Sequence, residues 1–220
     1  MITLVFDTCF NKSYIYLKID NKINVSKSLI SDDKNYHTAY LIPQICEILK
    51  ENKLFVKDID VIGVNIGPGS FTGIRAGLTI ARVLSQQANI KLVGVNSFEI
   101  LSKINNTEKR TIIALDARKK MVYFSDGSLI KPQLIQKDSL KDYIDDDCFV
   151  ITDSSINLYL KEFGMNSLCY EDCSCDFGKF LSDIINYKLI NEPDNDFHWA
   201  KVKPLYIQEP SITKPKTVIR

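Results

Sequence analysis

The 220-residue sequence lacks any long hydrophobic run, and this excludes a helical membrane protein. No stretch approaches the roughly 18 apolar residues that a membrane-spanning helix needs. The first residues, Met1–Asp7, have neither the basic start nor the apolar length of a secretory signal peptide. We therefore expect a cytoplasmic protein with no membrane partner.

An excess of charge of one sign is also missing. The 28 Lys and Arg side chains are balanced by 27 Asp and Glu, which leaves a formal net charge of +1. A self-sufficient nucleic-acid binder usually carries a basic surplus, so the charge balance argues against that class of protein. The hydrophobic content of 45% excludes a disordered chain and suffices for a buried core.

Histidine is scarce, and its two copies, His37 and His198, stand in separate segments with no H-x-x-x-H spacing. The six cysteines are irregularly spread, which indicates free thiols in a reducing compartment. Three of them, Cys169, Cys173 and Cys175, form C-x-x-x-C-x-C, which is not the paired C-x-x-C spacing of zinc sites. We predict no metal site and no catalytic residues, and a peptidase would lack a nucleophile–base pair.

What the sequence does contain is a pattern that occurs twice. ITLVFDT at 2–8 and TIIALDA at 111–117 both have the character of a buried strand that ends in Asp and enters a turn. The duplication predicts an α/β protein with two β-β-β-α-β-α lobes and mixed sheets. We place the lobes at 1–104 and 111–207, with a polar linker between them and an extended tail at 208–220.

Hydrophobic periodicity and turn residues locate the other elements. The predicted strands are 13–19, 22–30, 61–66, 91–95, 121–125 and 148–152. The predicted helices are 36–51, 72–88, a short one from 97, 154–163 and 177–189. Pro43 falls inside the first of these helices, so we expect a kink or a late helix start there.

A glycine-rich loop joins the strand at 61–66 to the next helix. Successive backbone N–H groups at such a junction can bind an anion, but the spacing fits neither G-x-G-x-x-G nor G-x-x-x-x-G-K. The spacing favours the alternative, a tight turn in which Ser70 or Thr72 caps the helix. The candidate loop residues are Gly67, Gly69, Ser70, Phe71, Thr72, Gly73 and Arg75.

Two first-lobe helices are more apolar than packing on one sheet requires. Their apolar stripes cover about half of the first helix and nearly all of the second, and Gly77 and Ala81 would permit the close approach of another helix. One interpretation is burial between the sheet and the second lobe; the other is an interface with a partner chain. The candidate interface residues are Ala39, Leu41, Ile42, Ile45, Ile48, Leu49, Ile74, Gly77, Leu78 and Ala81.

Five collinear segments resemble the TsaB (YeaZ) family, whose members are accessory subunits of bacterial tRNA threonylcarbamoyladenosine synthesis. The most specific is GPGSFTGIRAGLTIA at 67–81. FDTC at 6–9 is similar to the family's L-D-T-S, and HTAYLIP at 37–43 to its H-S-x-x-L-L-P. DARKKMVY at 116–123 is similar to D-A-R-x-x-x-V-Y, and PLYI at 204–207 to P-x-Y-L.

The resemblance implies the actin-like, sugar-kinase-like ATPase fold and a degenerate active site. Active members of that superfamily place D-x-G turns against nucleotide phosphates, whereas the turns at Asp7–Cys9 and Asp116–Arg118 have no glycine. The implied role is a non-catalytic scaffold that binds a TsaD-type catalytic subunit and, with a TsaE-type ATPase, supports modification of ANN-decoding tRNAs. The chain alone would bind no cofactor and form a homodimer, and its contact with tRNA would be indirect or weak. Binding of ATP or ADP at the interface of the complex is an open alternative. The alternative is an active ATP-dependent phosphotransferase or ATPase of the same fold.

Overall fold

A computed structural model describes residues 1–20, 23–29, 37–127 and 132–208, and within them the chain forms two sheets and five α-helices. The strands are β1 (Ile2–Asp7), β2 (Ser13–Ile19), β3 (Ile23–Leu29), β4 (Val61–Asn65), β5 (Lys91–Val95), β6 (Arg110–Asp116), β7 (Met121–Asp126), β8 (Gln133–Gln136), β9 (Cys148–Thr152) and β10 (Leu168–Cys169). The helices are α1 (Leu41–Glu51), α2 (Phe71–Ala88), α3 (Ser97–Leu101), α4 (Ser154–Glu162) and α5 (Phe177–Asn191). None of the helices in these ranges is long and apolar enough to cross a membrane.

The two sheets repeat one topology, which confirms the predicted duplication. Their strand orders are β3-β2-β1-β4-β5 and β8-β7-β6-β9-β10. In each sheet the first three strands of the repeat are antiparallel neighbours, and the fourth and fifth run parallel to the first. The Asp-ended strands β1 and β6 are therefore equivalent.

Alternation along β1 assigns the faces of the first sheet. Leu4 and Phe6 join one buried cluster with the inner sides of α1 and α2, while Val5 points into the other cluster with α3 and α5. That second cluster also takes Ile113 and Leu115 from β6, so it lies between the two sheets. The outer face of the second sheet is covered by α4 through Ile156 and Leu160 and their partners. Because successive side chains of a strand point to opposite faces, apolar residues of the same strand pack on both sides of each sheet.

The second lobe departs from the predicted element order. The repeat implies a third strand in this lobe, which the residue pattern did not locate and which is β8, whereas β10 was not predicted. The helix that the repeat places between the third and fourth strands is instead a 3₁₀ stretch, Lys137–Tyr143. Only Leu140 of that stretch is buried. A seven-residue segment with one buried apolar side chain cannot form the amphipathic face that stabilises an α-helix.

The first helix starts late, as the proline predicts. A 3₁₀ turn at His37–Tyr40 precedes α1, and Pro43 lies in the first turn of the α-helix, where an N–H would have no intrahelical partner. The predicted start at residue 36 lies outside the described residues. Helix α2 begins at Phe71, one residue before its predicted start.

Two segments of the predicted second lobe pack against the first lobe. The boundary between the lobes remains a prediction. Helix α5 lies in the range assigned to the second lobe, yet it packs against β1, β2, β4 and β5 of the first sheet. The chain after α5 also returns to the first lobe, where Phe197 O accepts from Leu92 N–H and Ile66 O accepts from Leu205 N–H, both at 2.8 Å. Of the predicted tail at 208–220, residues 209–220 lie outside the described part of the chain.

Candidate functional site

The turn after β1 holds a carboxylate that solvent does not reach. Asp7 is 2% exposed, and its Oδ1 accepts a hydrogen bond from Cys9 N–H at 2.8 Å. Its Oδ2 is buried and has no hydrogen-bond partner among the described residues. Burial raises the pKa of Asp7 to about 6, because the Cys9 and Asn65 dipoles offset only part of the lost hydration.

The glycine-rich loop packs directly on this turn. Ser70 N–H donates to Cys9 O at 2.9 Å, and the Thr8 hydroxyl donates to Gly73 O at 2.6 Å. A Cβ at Gly69 would lie 2.6 Å from Cys9 O, and a Cβ at Gly73 would overlap Thr8 O. The glycines therefore permit the close approach of two backbone segments.

The same loop begins α2 in the way predicted for a capped turn. Ser70 is the N-cap, and its Oγ accepts from Gly73 N–H at 3.2 Å. Gly67 N–H donates to Asn65 Oδ1 at 2.9 Å. Thr72, the other predicted cap, is exposed. The N–H groups of Gly67, Ser70 and Gly73 are thus engaged within the protein, as in a capped tight turn.

Aromatic rings fill the space beside Asp7 between the two lobes. The Phe10 ring centre lies 5.1 Å from that of Tyr170 and 5.5 Å from that of Phe177, and Tyr14 packs edge-on against Phe177 at 5.3 Å. All four rings are buried. Burial also raises the pKa of the Tyr14 and Tyr170 phenols, so both stay neutral.

The equivalent turn after β6 is built differently. Asp116 is exposed, and its Oδ1 accepts from Arg118 N–H at 2.9 Å, while its own N–H donates to Asp153 Oδ2 at 2.5 Å. Asp153 is also the N-cap of α4, and burial, aided by the Asp116 charge, raises its pKa. Both Asp turns thus use their carboxylates to order their own backbone.

The predicted partner interface is mostly not on the surface. The chain's own packing buries Leu41, Ile45, Ile48, Leu49, Ile74, Leu78 and Ala81, and it buries Gly77 against the Thr8 side chain. Only Ala39 and Ile42 of the ten residues are exposed. The buried residues cover the first sheet, so they cannot contact a partner unless the lobe opens. Eight of the ten predicted positions are thus buried within the chain itself, and the interface as a whole stays a prediction.

A different set of apolar side chains on the same helices faces outward. Tyr40 and Ile42 are each 55% exposed, Val83 is 52% exposed, and Ile80 is half-buried. Helix α2 contacts the 3₁₀ turn that carries Tyr40, and both helices pack on one face of the first sheet. We call Tyr40, Ile42, Ile80 and Val83 the outer helical face. The sequence alone could not identify this face, because a helical wheel shows the apolar side chains but not which of them face the core.

The C-terminal motif at 204–207 meets the start of α2. Arg75 Nε donates to the Tyr206 hydroxyl at 3.0 Å, and the Arg75 guanidinium lies 3.9 Å from the centre of the Phe71 ring. The Phe71 and Tyr206 rings are 5.6 Å apart and both are about two-fifths exposed. The pairing of Arg75 with Tyr206 was not predicted, because 131 residues separate the two.

The histidines and cysteines form no recognisable centre in the described ranges. No group of three His, Cys, Asp or Glu side chains there could hold a metal ion. All six cysteines are free thiols, and the Cys173 thiol donates a hydrogen bond to Cys169 O at 3.5 Å. The side chain of His37 lies outside the described residues, and His198 Nδ1 accepts from Ala200 N–H.

The sequence matches a family of tRNA-modifying proteins. The model of the family described as TsaD, tRNA N6-adenosine threonylcarbamoyltransferase, matches residues 28–157, more than half of the chain. The tRNA threonylcarbamoyladenosine biosynthesis protein TsaB of Escherichia coli K12 is 30% identical over 129 residues, 57% of this chain and 54% of that protein. The Buchnera aphidicola protein of the same name from the Acyrthosiphon pisum strain is 34% identical over 101 residues, 44% of this chain and 46% of that one. The chain thus matches about half the length of these relatives.

Solved structures agree on the architecture. YeaZ from Pseudomonas aeruginosa superposes with a TM-score of 0.72 at 18% identity, covering 93% of this chain and 99% of that one. A second Pseudomonas aeruginosa structure, described as similar to peptidase YEAZ, gives a TM-score of 0.75, also at 18% identity, over 94% and 99% of the two chains. The predicted actin-like ATPase fold is confirmed.

Proposed function

The chain belongs to the tRNA N6-adenosine threonylcarbamoyltransferase family, in its TsaB (YeaZ) branch, and from this premise we propose that it is a non-catalytic subunit of a tRNA-modifying complex. Its direct partner would be a TsaD-type catalytic paralogue, assisted by a TsaE-type ATPase. The assembly would form threonylcarbamoyladenosine beside the anticodon of ANN-decoding tRNAs.

The observation that carries the proposal is the outer helical face. Tyr40, Ile42 and Val83 each expose more than half of their surface, and Tyr40 lies on the 3₁₀ turn that α2 contacts. Large apolar side chains that stay exposed on two helices covering the same face of a sheet are typical of protein–protein contacts. A TsaD-type chain of the same fold offers equivalent helices for docking, and in its absence the same face supports a homodimer.

The lack of catalysis is supported by the space beside Asp7. In a working nucleotide site the carboxylate at this strand end faces phosphates and metal, but here Asp7 is 2% exposed and the nearby Phe10 ring packs with Tyr170 and Phe177 in a buried cluster. A side chain at Cys9 occupies the position where an active turn has glycine. The chain's part would then be to stabilise its partner.

A second candidate, an ATP-dependent phosphotransferase, has one feature in its favour. Asp7 and Asp116 end equivalent strands, as paired carboxylates do in two-lobed kinases of this fold. The Asp116 carboxylate, however, accepts from Arg118 N–H within its own turn. We rank this candidate second.

Co-expression with the TsaD-type protein of the same source tests the proposal. We expect a stable mixed complex on a sizing column with light scattering, and a homodimer when the chain is alone. Absence of a mixed complex, with or without the TsaE-type protein and ATP, would overturn the scaffold function.

A further inference from the structure

A cavity of about 400 Å³ lies between the first sheet and the segment that links β10 to α5. Lys12 of the β1–β2 turn, Tyr14 of β2 and Ser26 of β3 form one wall, and residues 171–176 form the other. The Ser26 hydroxyl donates to Asp176 Oδ1 at 3.1 Å, so the two walls are in direct contact. Pockets of this volume hold small organic molecules.

The walls of this cavity carry an excess of negative charge. Among the described residues that line it, the carboxylates are Glu171, Asp172 and Asp176, and the only cation is Lys12. Three negative charges against one positive charge leave an excess of two. In the part of the chain that the structure describes, none of the three carboxylates forms an ion pair within 4.0 Å. The Cys173 thiol adds no charge, because burial raises its pKa to about 11.

The cavity also receives a buried hydroxyl. Tyr14 is 8% exposed, and its hydroxyl has no hydrogen-bond partner among the described residues. Burial raises the pKa of Tyr14, and the charges of Asp7, Cys175 and Asp176 act in the same direction, which places the hydroxyl close to the opposite wall. A buried hydroxyl without a partner is costly, so a ligand that hydrogen-bonds to it gains affinity.

We propose that this cavity binds a linear organic diamine or polyamine, in which methylene groups separate two or more ammonium groups. One ammonium group would donate to Asp176 and to the Tyr14 hydroxyl oxygen, and another would donate to Glu171 and Asp172. Hydrogen bonds of this charge-assisted kind are about twice as strong as neutral ones. Two positive charges also match the excess of two negative charges on the walls. The ligand would contact both walls and hold them together, whether or not the chain has a scaffold function.

Isothermal titration of the full chain with 1,4-diaminobutane at low ionic strength measures the affinity. We expect saturable binding at one site, and a Tm about 3–6 °C higher when the amine is at ten times its Kd. Two compounds of similar length serve as comparisons. 1,4-Butanediol has no charge and should not bind, while 4-aminobutanoate carries a carboxylate in place of one ammonium group and should bind about tenfold more weakly.

Substitutions on each wall test the contacts separately. Tyr14→Phe removes a hydroxyl that has no partner, so the Tm without amine should not fall, and 1,4-diaminobutane should bind about fivefold more weakly. Glu171→Gln/Asp172→Asn removes two charges and should weaken the amine about tenfold. The matched control is Asp146→Asn/Asp147→Asn, which removes two exposed carboxylates that do not line the cavity. This control should bind the amine as the wild type does.

Weaker binding in both wall variants with an unchanged control supports the site. The site is overturned if the wild type shows no saturable binding at millimolar amine, or if the diol or 4-aminobutanoate binds as tightly as the diamine. Equal weakening by the wall variants and the control would also overturn it, since the amine would then respond to the charge of the whole surface. These measurements need no partner chain, so failure of the amine site leaves the scaffold function standing.

Discussion

The Thr8 hydroxyl donates a hydrogen bond of 2.6 Å to the carbonyl oxygen of Gly73, which lies 65 residues further along the chain. The contact joins the turn after β1 to the first turn of α2. Backbone approach at this point is so close that a Cβ on Gly73 would overlap the Thr8 carbonyl oxygen. The position of α2, and with it the outer helical face, depends on this contact.

Replacing Gly73 with alanine should destabilise the fold. The new methyl group must displace backbone, and we expect a loss of about 3 kcal/mol in the free energy of unfolding, measured by urea denaturation. Gly164→Ala is the control: its φ of 70° strains the alanine, but no atom lies within 4 Å of the new Cβ. That variant should lose only about 1 kcal/mol. Equal losses would mean that the contact with Thr8 does not restrict this position.

Asp7 should make the protein less stable as pH rises. Its pKa is about 6 in the folded state against 3.8 for an unperturbed aspartate, so the folded state binds the proton more tightly. Its contribution to the free energy of unfolding is therefore highest below pH 4 and falls by about 2–3 kcal/mol between pH 4 and 6. Urea denaturation across this range measures the slope.

Asp7→Asn isolates this contribution from those of other carboxyl groups. The amide stays neutral at every pH, so the variant should match the wild type near pH 3, where Asp7 is protonated in both states, and exceed its stability at pH 7.5. Burial of Asp153 acts in the same direction as Asp7, while the pKa of exposed Asp196 is lowered by Lys201, and both effects cancel in the comparison. A variant less stable than the wild type at pH 7.5 would show that the folded protein needs the charge.

Aspartate substitutions should separate core from interface on the two helices. Leu41 and Leu78 are buried, so a charge at either site should cost about 3–5 kcal/mol and prevent folding. Ile42→Asp and Val83→Asp should leave the free energy of unfolding within about 1 kcal/mol and abolish co-purification with the TsaD-type subunit.

Leu158→Asp is the matched control for these surface variants. Leu158 is 64% exposed on α4, on the far side of the second sheet, so its replacement should affect neither folding nor the complex. If Ile42→Asp and Val83→Asp both retain the complex, the partner docks elsewhere.

The isolated chain should not bind Mg·ATP. Asp7 is buried, and access for a nucleotide at this end of β1 would require the buried cluster that contains Phe10, Tyr170 and Phe177 to open. We expect no heat of binding by isothermal titration at millimolar nucleotide. Binding that is weakened by Asp7→Asn would instead favour the phosphotransferase.

The internal repeat illustrates what local patterns can and cannot predict. The strand–Asp–turn at 2–8 and 111–117 predicted two equivalent sheets because buried strands have continuous apolar runs with a clear end. Strand β10 has only two residues, and β8 has four, none of them fully buried, so neither gave a periodic signal. The capping role of Ser70 was predictable because it depends on a spacing of three residues.

The sequence by itself determined the family, the duplicated fold and the amount of apolar surface on the first two helices. It did not determine which apolar side of each helix remains exposed to solvent. That was decided by tertiary packing: β1, β2 and β4 take Leu41, Ile48 and Leu78 into the core and leave Ile42 and Val83 outside. Likewise only the folded chain brings α5 onto the first sheet and Tyr206 onto Arg75. Contacts between residues more than a hundred positions apart leave no local periodicity, because the sheets that bring them together form over the whole chain.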